Sequence, residues 1–501
     1  MTLGLDAAVG DGPQGPGGPE APVEGALGEL PAGWVRAKLA ELGVEAQPGF
    51  ASGKHNRDGE GIIHLRPMNI TRNGAIDLSD ARYINDDSDR RVEYGDVLFN
   101  NTNSPALVGK TAWVGSLEPV AYSNHMTRLR GPKGIDSKFL AIQLHWLWGS
   151  GYFKTILNNH VNQASVARKA LLATEIVVPP LLEQLRIVAE VEQQITRIEA
   201  GEAAARTALL KAAILAEQVT TQGSRGCLEQ VELFPAPLSK ADIDDGPIPD
   251  LPAGWKWSRL GEFASVVGGV TKDSKRQSDP EYVEVPYLRV ANVQRGQLVL
   301  DKVTTIRVPP EKADALRLER GDVLLNEGGD RDKLGRGWIW DGQIKNCIHQ
   351  NHVFRARVIG DEIHPKLLAW HANGFGKAWC DRNGTQSVNL ASISLRKIKL
   401  LPVPIPPREV QEELVKTIEL HLQNVAAARA TAESALAHAQ DLRASLLHTA
   451  FTGALVPQDP ADEPASVLLD RIRVEQKAKA PRKRATRKPR STPPGQEELP
   501  S

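Results

Sequence analysis

The chain has 501 residues, 41% of them hydrophobic and 24% charged, with a formal net charge of zero. That is room for two or three soluble domains with cores of their own, and the neutral balance excludes a uniformly basic nucleic-acid binder, so any DNA affinity must rest on where charge is placed. No apolar run of some 18 residues, no basic-then-apolar leader and no Cys-x-x-Cys pair is present (the cysteines are Cys227, Cys347 and Cys380), so a membrane span, a secretory signal, a disulfide frame and a zinc site are not expected and a reducing cytoplasm is.

In chain order, residues 1–29 are rich in Gly, Pro and acids and are expected to be a disordered acidic lead, since they cannot bury enough apolar surface to offset chain entropy. Residues 30–178 carry short apolar runs (Gly61–Leu65, Val97–Asn100, Ala112–Val114) punctuated by Asn73-Gly74, Gly131-Pro132 and Lys133-Gly134, which predicts a β-rich domain with a helix from Ser137 to about Leu157. Residues 179–220 open on Pro179-Pro180 and turn rich in Ala, Glu, Gln and Leu, a long helix. Residues 221–250 form an acidic linker. Residues 251–405 repeat the β-rich plan, with the matching helix starting near Pro365, and residues 406–455 repeat the long helix without Gly or Pro from Arg408 to about Phe451. Residues 456–501 are expected to be a disordered basic tail, with like charges concentrated in Lys477–Arg490 and most simply read as solvated.

The duplication is explicit. Leu30-Pro31-Ala32-Gly33-Trp34 returns as Leu251-Pro252-Ala253-Gly254-Trp255, and Leu65-Arg66-x-x-Asn69-Ile70-x-Arg72 as Leu288-Arg289-x-x-Asn292-Val293-x-Arg295. Gly95-Asp96-Val97-Leu98 returns as Gly321-Asp322-Val323-Leu324, Asn124-His125 as Asn351-His352, Val161-Asn162-x-Ala164-Ser165 as Val388-Asn389-x-Ala391-Ser392, and Gln184 as Gln411. A period this long is a whole domain plus a helix, so the chain is a tandem pair able to fold with pseudo-two-fold symmetry.

Both long helices carry an apolar stripe of alternating three- and four-residue steps. In the first it is Val188, Val191, Ile195, Ile198, Glu202, Ala205, Leu209, Ala212, Ala216 and Val219; in the second, Leu414, Ile418, His421, Val425, Ala428, Ala432, Ala435, Ala439, Leu442 and Leu446. Such a period marks a coiled-coil seam, and about 40 residues at ~1.5 Å each reach roughly 60 Å. The helices are expected to pair antiparallel as a spacer between two heads; the alternative is that each lies across its own domain as a core helix. From Pro180 to Leu209-Leu210 is 29 residues, and from Pro407 to Leu446-Leu447 is 39. If those leucine pairs correspond, the first rod is the shorter by about 15 Å.

Ser104-Pro105-Ala106-Leu107-Val108-Gly109-Lys110-Thr111 has the outline of a phosphate loop, but its first glycine is a serine and Ala112-Trp113-Val114 reads as a strand, so a turn between strands is expected. No other catalytic motif stands in either copy, and the Asn-His pairs read as turns or strand ends. Recognition chemistry is better placed. Arg66 and Arg289 could contact guanine or phosphate in two-pronged fashion, and Asn69 and Asn292 could read adenine or could instead preserve the fold. Arg72 and Arg295 lie beside turns, where phosphate contacts are common, and Lys110, Lys272, Arg331, Lys333 and Arg336 complete the candidate DNA-binding set. Distinct half-sites would be read where the copies differ, at Asn100–Ser104 against Asn326–Asp330 and at Thr71–Asn73 against Gln294–Gly296.

Two β-rich domains that open on Leu-Pro-x-Gly-Trp and close on Pro-Pro before a long helix carrying Gln184 or Gln411 resemble the specificity subunit of type I restriction–modification systems, as does the ending Ser445-Leu446-Leu447-His448-Thr449-Ala450-Phe451-Thr452-Gly453-x-Leu455. The resemblance covers about residues 30–456. It implies an α+β fold with two target-recognition domains in tandem, each reading half of a bipartite DNA site, and helices that set the spacing and dock two modification subunits, with Gln184, Gln411 and Phe451 as partner-binding candidates. It also implies a role in host defence in which this chain does no bond chemistry. S-adenosylmethionine for adenine methylation, and ATP and magnesium for translocation and cleavage, would be carried by modification and restriction (motor-nuclease) subunits. The competing readings are a stand-alone restriction endonuclease with a cryptic site and a duplicated protein-binding scaffold.

Overall fold

The strand Val97–Asn100 shows how the repeated tetrapeptide Gly-Asp-Val-Leu builds each head. Gly95 sits at φ +88°, a left-handed turn that a side chain would strain. Asp96 then accepts from the Glu93 N–H at 2.8 Å and from Arg130 Nη2 at 3.0 Å, and the buried run Val97-Leu98-Phe99 enters the sheet centre. The second copy repeats the device: Gly321 at φ +95°, Asp322 accepting from the Glu319 N–H at 2.7 Å and from Arg357 Nη2 at 2.8 Å.

The computed structural model describes residues 29–86, 90–115, 120–159, 163–275, 277–386 and 391–479. The expected acidic lead up to residue 28, the Val161-Asn162 and Val388-Asn389 pairs and the tail from residue 480 lie outside the described residues. Two units are formed: Met1–Glu202 with Ala437–Ser501, and Ala203–Leu436. Among the described residues no helix is long and apolar enough to cross a membrane.

In the first unit a four-stranded antiparallel sheet runs in the order Glu45–Pro48, Met126–Arg130, Val97–Asn100, Thr111–Trp113. The helix Ser137–Gly149, capped by Asp136, which accepts from the Phe139 N–H, packs on it. Val35–Lys38 pairs with Glu175–Val178, so the domain's first and last strands meet just before the long helix. The second unit repeats this order as Ala264–Val267, Val353–Val358, Val323–Asn326, Gly337–Ile339, with Lys256–Arg259 closing on Pro402–Ile405. Its counterpart helix is broken into Pro365–Asn373 and Phe375–Asn383. The segment Ser104–Lys110 is a turn ahead of the strand Thr111–Trp113, as its sequence indicated.

The long helices are Leu181–Gly223, 43 residues, and Arg408–Phe451, 44 residues. The first rod is therefore not shorter, and Leu209-Leu210 does not match Leu446-Leu447. The two ends are equivalent through different residues. Cys227 N–H donates to the Gln222 carbonyl at 2.9 Å and Ala454 N–H to the Thr449 carbonyl at 3.0 Å, the same five-residue closure. Gly226 and Gly453 supply the left-handed residue at φ +72° and +77°. Ser224-Arg225-Gly226 thus does the work of Phe451-Thr452-Gly453.

Within the first unit Ile187, Val188 and Val191, near the start of the first helix, share a core with Ala450 and Phe451 at the end of the second. Within the second unit Val219, at the end of the first helix, shares a core with Val415 and Ile418 at the start of the second. Start meets end in both, so the helices pair antiparallel.

The first seam is as its spacing indicated, with Val188, Val191, Ala205, Ala212 and Val219 buried. The second is displaced by one residue at alternate positions. Val415, Ile418, Val425, Ala432 and Ala439 are buried, Leu422, Leu436 and Arg443 line the same stripe, and His421, Ala428, Ala435 and Leu442 are exposed. Spacing of three and four fits two neighbouring stripes where alanines are abundant, and only the facing helix chooses between them. The polar intruder Glu202 is matched by Arg443, whose Nη2 lies 3.6 Å from its carboxylate.

Two termini-of-domain expectations are corrected. Residues 465–479 are not disordered tail but a helix, Ala465–Lys479, whose Ala465, Leu468, Leu469 and Ile472 are buried in the first unit's core beside Trp34, Leu39 and Leu42. Residues 224–250 are not a free linker either, since Leu233–Phe234 pairs with Leu251–Pro252 and Ile243 packs on the second core.

Candidate nucleic-acid interface

The segment Leu65–Arg72 leaves its strand through a tight 3-10 turn, and the repeated asparagine is what holds that turn. Asn69 Oδ1 accepts from the Arg66 N–H and its Nδ2 donates to the Asp77 carbonyl, each at 2.9 Å, with the side chain 3% exposed. Asn292 does the same, accepting from the Arg289 N–H at 2.9 Å and donating to the carbonyls of Val299 and Lys302 at 2.9 and 3.1 Å. Every polar atom of these amides is spent on backbone. Of the two readings left open for this pair, adenine contact or preservation of the fold, the geometry favours the second.

Lys110 is also corrected. Its side chain is buried and Nζ donates to the Ile70 carbonyl, so it braces the turn from beneath. Burial, with the Arg72 charge nearby, holds its pKa below the usual lysine value. His145 braces the same turn: Thr111 N–H donates to Nδ1 at 3.4 Å, which leaves the proton on Nε2, 3.1 Å from the Arg72 carbonyl. Burial pushes this histidine down to about 4, so it is neutral near pH 7. The result is a rigid loop with the Arg72 side chain exposed at its tip and without an acidic partner among the described residues.

The other cations divide into spent and available. Arg66 is ion-paired with Asp80 at 3.1 Å. Arg295 spends Nη1 on the Asn373 carbonyl at 2.7 Å and Nη2 on the Asp332 carbonyl at 2.9 Å, and burial lowers its pKa. Arg331 is paired with Asp381 and Lys333 with Asp330. Lys272 is exposed without an acidic partner among the described residues, and Arg289 and Arg336 are half-buried, each with a buried Nε that has no acceptor. The candidates that remain on geometry are thus Arg72 in the first unit and Lys272, Arg289 and Arg336 in the second.

Where the copies diverge, equivalent backbone carries different chemistry. Asn101 N–H donates to the His125 carbonyl, and Glu327 N–H to the His352 carbonyl, both at 3.0 Å. In the first unit Asn101 Oδ1 accepts from Thr127 Oγ1 at 3.1 Å and its Nδ2 donates to Thr102 Oγ1 at 3.0 Å, a neutral amide–hydroxyl group. In the second, Glu327 Oε2 lies 2.7 Å from His352 Nδ1, an acid–imidazole pair. The Asn-His repeats therefore do end strands, but the second also faces a carboxylate that sequence spacing did not reveal. Beside each lies a three-stranded ribbon: Asn158–Asn159, Ala164–Ser165, Thr102–Asn103 in one unit and Thr385–Gln386, Ala391–Ser392, Gly328–Gly329 in the other. Asn158, Asn159, Thr385 and Gln386 are exposed on these ribbons, and no motif had singled them out.

The three partner-binding candidates turn inward. Gln184 accepts from the Asp136 N–H at 2.8 Å and donates to the Pro179 carbonyl at 3.0 Å. Gln411 accepts from the His364 N–H at 2.6 Å and donates to the Pro406 carbonyl at 3.1 Å. Phe451 packs on Phe139 and Trp146 and is fully buried. These residues lock helix ends to the heads and present nothing to a partner. The apolar side chains the helices leave in solvent are others, among them Leu182, Leu210, Ile214, Leu420 and Leu442.

Residues 252–431 match the family model of the type I restriction modification DNA specificity domain. The chain is 23% identical to the type I restriction enzyme StySPI specificity subunit of Salmonella potsdam, over 92% of this chain and 99% of that one. It is equally similar, with the same coverage, to the EcoKI specificity subunit of Escherichia coli (strain K12). In fold it is similar to a chain from a structure addressing complex assembly and conformational transition of the type I R-M system, with TM-score 0.62 and 20% identity over 85% of this chain and 99% of that chain. It is also similar to the HsdS subunit from Thermoanaerobacter tengcongensis, with TM-score 0.53 and 21% identity over 87% and 99%. Residues 252–431 thus match a type I restriction modification DNA specificity domain, and over most of its length the chain is similar in sequence and in fold to specificity subunits of type I restriction–modification systems.

Proposed function

We propose that the chain is the DNA sequence-specificity subunit of a type I restriction–modification complex, each head reading one half of a bipartite site. The observation that carries this is one backbone built twice with different polar groups at equivalent places, Asn101 bonded to Thr127 in one head against Glu327 bonded to His352 in the other. Direct readout needs such a difference, because amide, carboxylate and imidazole edges select different bases. Arg72 in one head and Lys272, Arg289 and Arg336 in the other would engage phosphate, which fixes register without carrying sequence information.

The antiparallel helices serve as a spacer between half-sites, and their exposed apolar side chains, Leu210 and Ile214 among them, as the dock for two modification subunits. Those subunits would bring S-adenosylmethionine for adenine methylation, and restriction subunits ATP and magnesium, leaving this chain to recognise and to hold. Tethering two readers raises the effective concentration of the second once the first is bound, so neither head need bind tightly alone.

The test is to purify the chain with its modification subunit, map methylated adenines, and replace residues 251–405 by the equivalent segment of another specificity subunit. One half of the methylated motif should change and the other persist. Loss of both halves, or magnesium-dependent nicking by the chain alone, overturns the reading.

A further inference from the structure

In the second unit one carboxylate is left half in use. Glu327 follows the buried strand Val323–Asn326, and its Oε2 lies 2.7 Å from His352 Nδ1. Asn351 Nδ2, which can only donate, stands 3.4 Å from His352 Nε2. The imidazole therefore carries its proton on Nδ1, donates it to the carboxylate and keeps Nε2 as an acceptor. Glu327 Oε1 has no hydrogen-bond donor among the described residues, and with the glutamate side chain 27% exposed and the histidine 55% exposed, solvent reaches both groups.

The first unit shows how this vacancy of partners arises. Asn101 occupies the place of Glu327, and hydroxyls close off its amide, which accepts from Thr127 Oγ1 at 3.1 Å and donates to Thr102 Oγ1 at 3.0 Å. By strand register Phe354 stands at the place of Thr127, and Gly328 at the place of Thr102. Neither has a polar side chain, so among the described residues only the imidazole holds the carboxylate.

Two cations border the pair. Asn326 N–H donates to the Arg336 carbonyl and Asn351 N–H to the Val270 carbonyl, both at 2.9 Å. Arg336 is thereby set next to Glu327, and the segment running from Val270 to Lys272 next to His352. Lys272 is exposed without an acidic partner among the described residues, and Arg336 Nε is buried without an acceptor. Nucleic-acid phosphates would repel a bare carboxylate, and flanking positive charge offsets that repulsion, so the acid can approach a base edge.

Glu327 Oε1 and His352 Nε2 thus present acceptors only. Cytosine is the one base whose major-groove edge offers a donor, its N4 amine, with no acceptor; guanine and thymine offer acceptors, and adenine sets N7 beside its amine. We propose, resting on the reading of the chain as a specificity subunit, that Glu327 determines specificity by accepting from the N4 amine of a cytosine in the second head's half-site. His352 is the positioning residue that fixes the carboxylate.

The full chain is expressed with its modification subunit and methylated adenines are mapped, the half read by residues 251–405 being known from the segment exchange. Glu327→Gln should keep the other half and the spacing. At one position it should replace cytosine by adenine, whose donor and acceptor an amide matches, with cytosine disfavoured about tenfold. His352→Ala should loosen the same position without a new preference. His352→Asn, whose amide N–H can still meet the carboxylate, should restore cytosine. Melting curves equal to the parent's separate these effects from misfolding. An unchanged motif in Glu327→Gln, or a parent base other than cytosine at the affected position, overturns the assignment while leaving the function intact. A parent motif that is not bipartite overturns the reading beneath it.

Discussion

At the scale of single residues, a side chain's chemistry mattered less than whether the backbone had already claimed it. Asn69 and Asn292 are suited to adenine but are consumed in holding a turn, whereas Arg72, two residues beyond that turn's buried core, is exposed and has no acidic partner among the described residues. This yields opposite expectations for two neighbours. Arg72→Ala should leave thermal stability unchanged, weaken DNA binding by the assembled complex across sequences, and lower the salt slope by about 1, as one lost phosphate contact does. Asn69→Ala should instead destabilise by about 1–3 kcal/mol, because it strands the Arg66 N–H and the Asp77 carbonyl in the interior. A salt titration and a melting curve on each variant separate the two roles.

At the scale of elements, the helices show what a periodic pattern does and does not settle. Helix existence and pairing follow from the apolar period and the absence of Pro, but relative length does not, since matching Leu209-Leu210 to Leu446-Leu447 predicts a shorter first rod and the helices are 43 and 44 residues. The seam of the second helix does not, because its alanines make adjacent stripes almost equally apolar. Ile418→Ala should cost about 2–4 kcal/mol as a buried truncation, while Leu442→Ala, at a position 59% exposed, should change stability by less than about 0.5 kcal/mol. Equal effects in chemical denaturation would restore the seam read from spacing. The helix ends add a second case. At Gly453 a Cβ would lie 2.2 Å from Pro31 Cγ and φ is +77°, so Gly453→Ala should destabilise by more than about 1 kcal/mol.

At the scale of the whole molecule, both units hold histidines neutral by burial: His145 in the first is pushed down to about 4, and in the second His349 and His371 are each pushed down to about 4 from 6.5. His349 lies 2.6 Å from the Val353 carbonyl and His371 2.7 Å from the Pro402 carbonyl, so both are held neutral as donors. A folded-state pKa below the unfolded value means the unfolded chain takes up protons first. Their contribution is complete above pH 6.5, falls as pH drops from 6.5 towards 4, and changes no further below that, with an upper limit of roughly 3 kcal/mol each. Acidification from pH 7 to 4.5 should therefore lower the unfolding transition of the second unit, and His371→Gln should flatten that dependence. A transition indifferent to pH over this range would remove the assignment.

The sequence by itself determined the duplication, the two β-rich heads, the long helices and the family they resemble, because repeats, turn residues and a sustained apolar period are local signals that survive without contacts. Tertiary structure alone decided which arginines are spent, which stripe of the second helix faces its partner, that Gln184, Gln411 and Phe451 lock the fold, and that residues 465–479 are a docked helix. Each of these turns on a partner remote in sequence: a carbonyl, a carboxylate or an apolar face whose proximity only the folded chain creates.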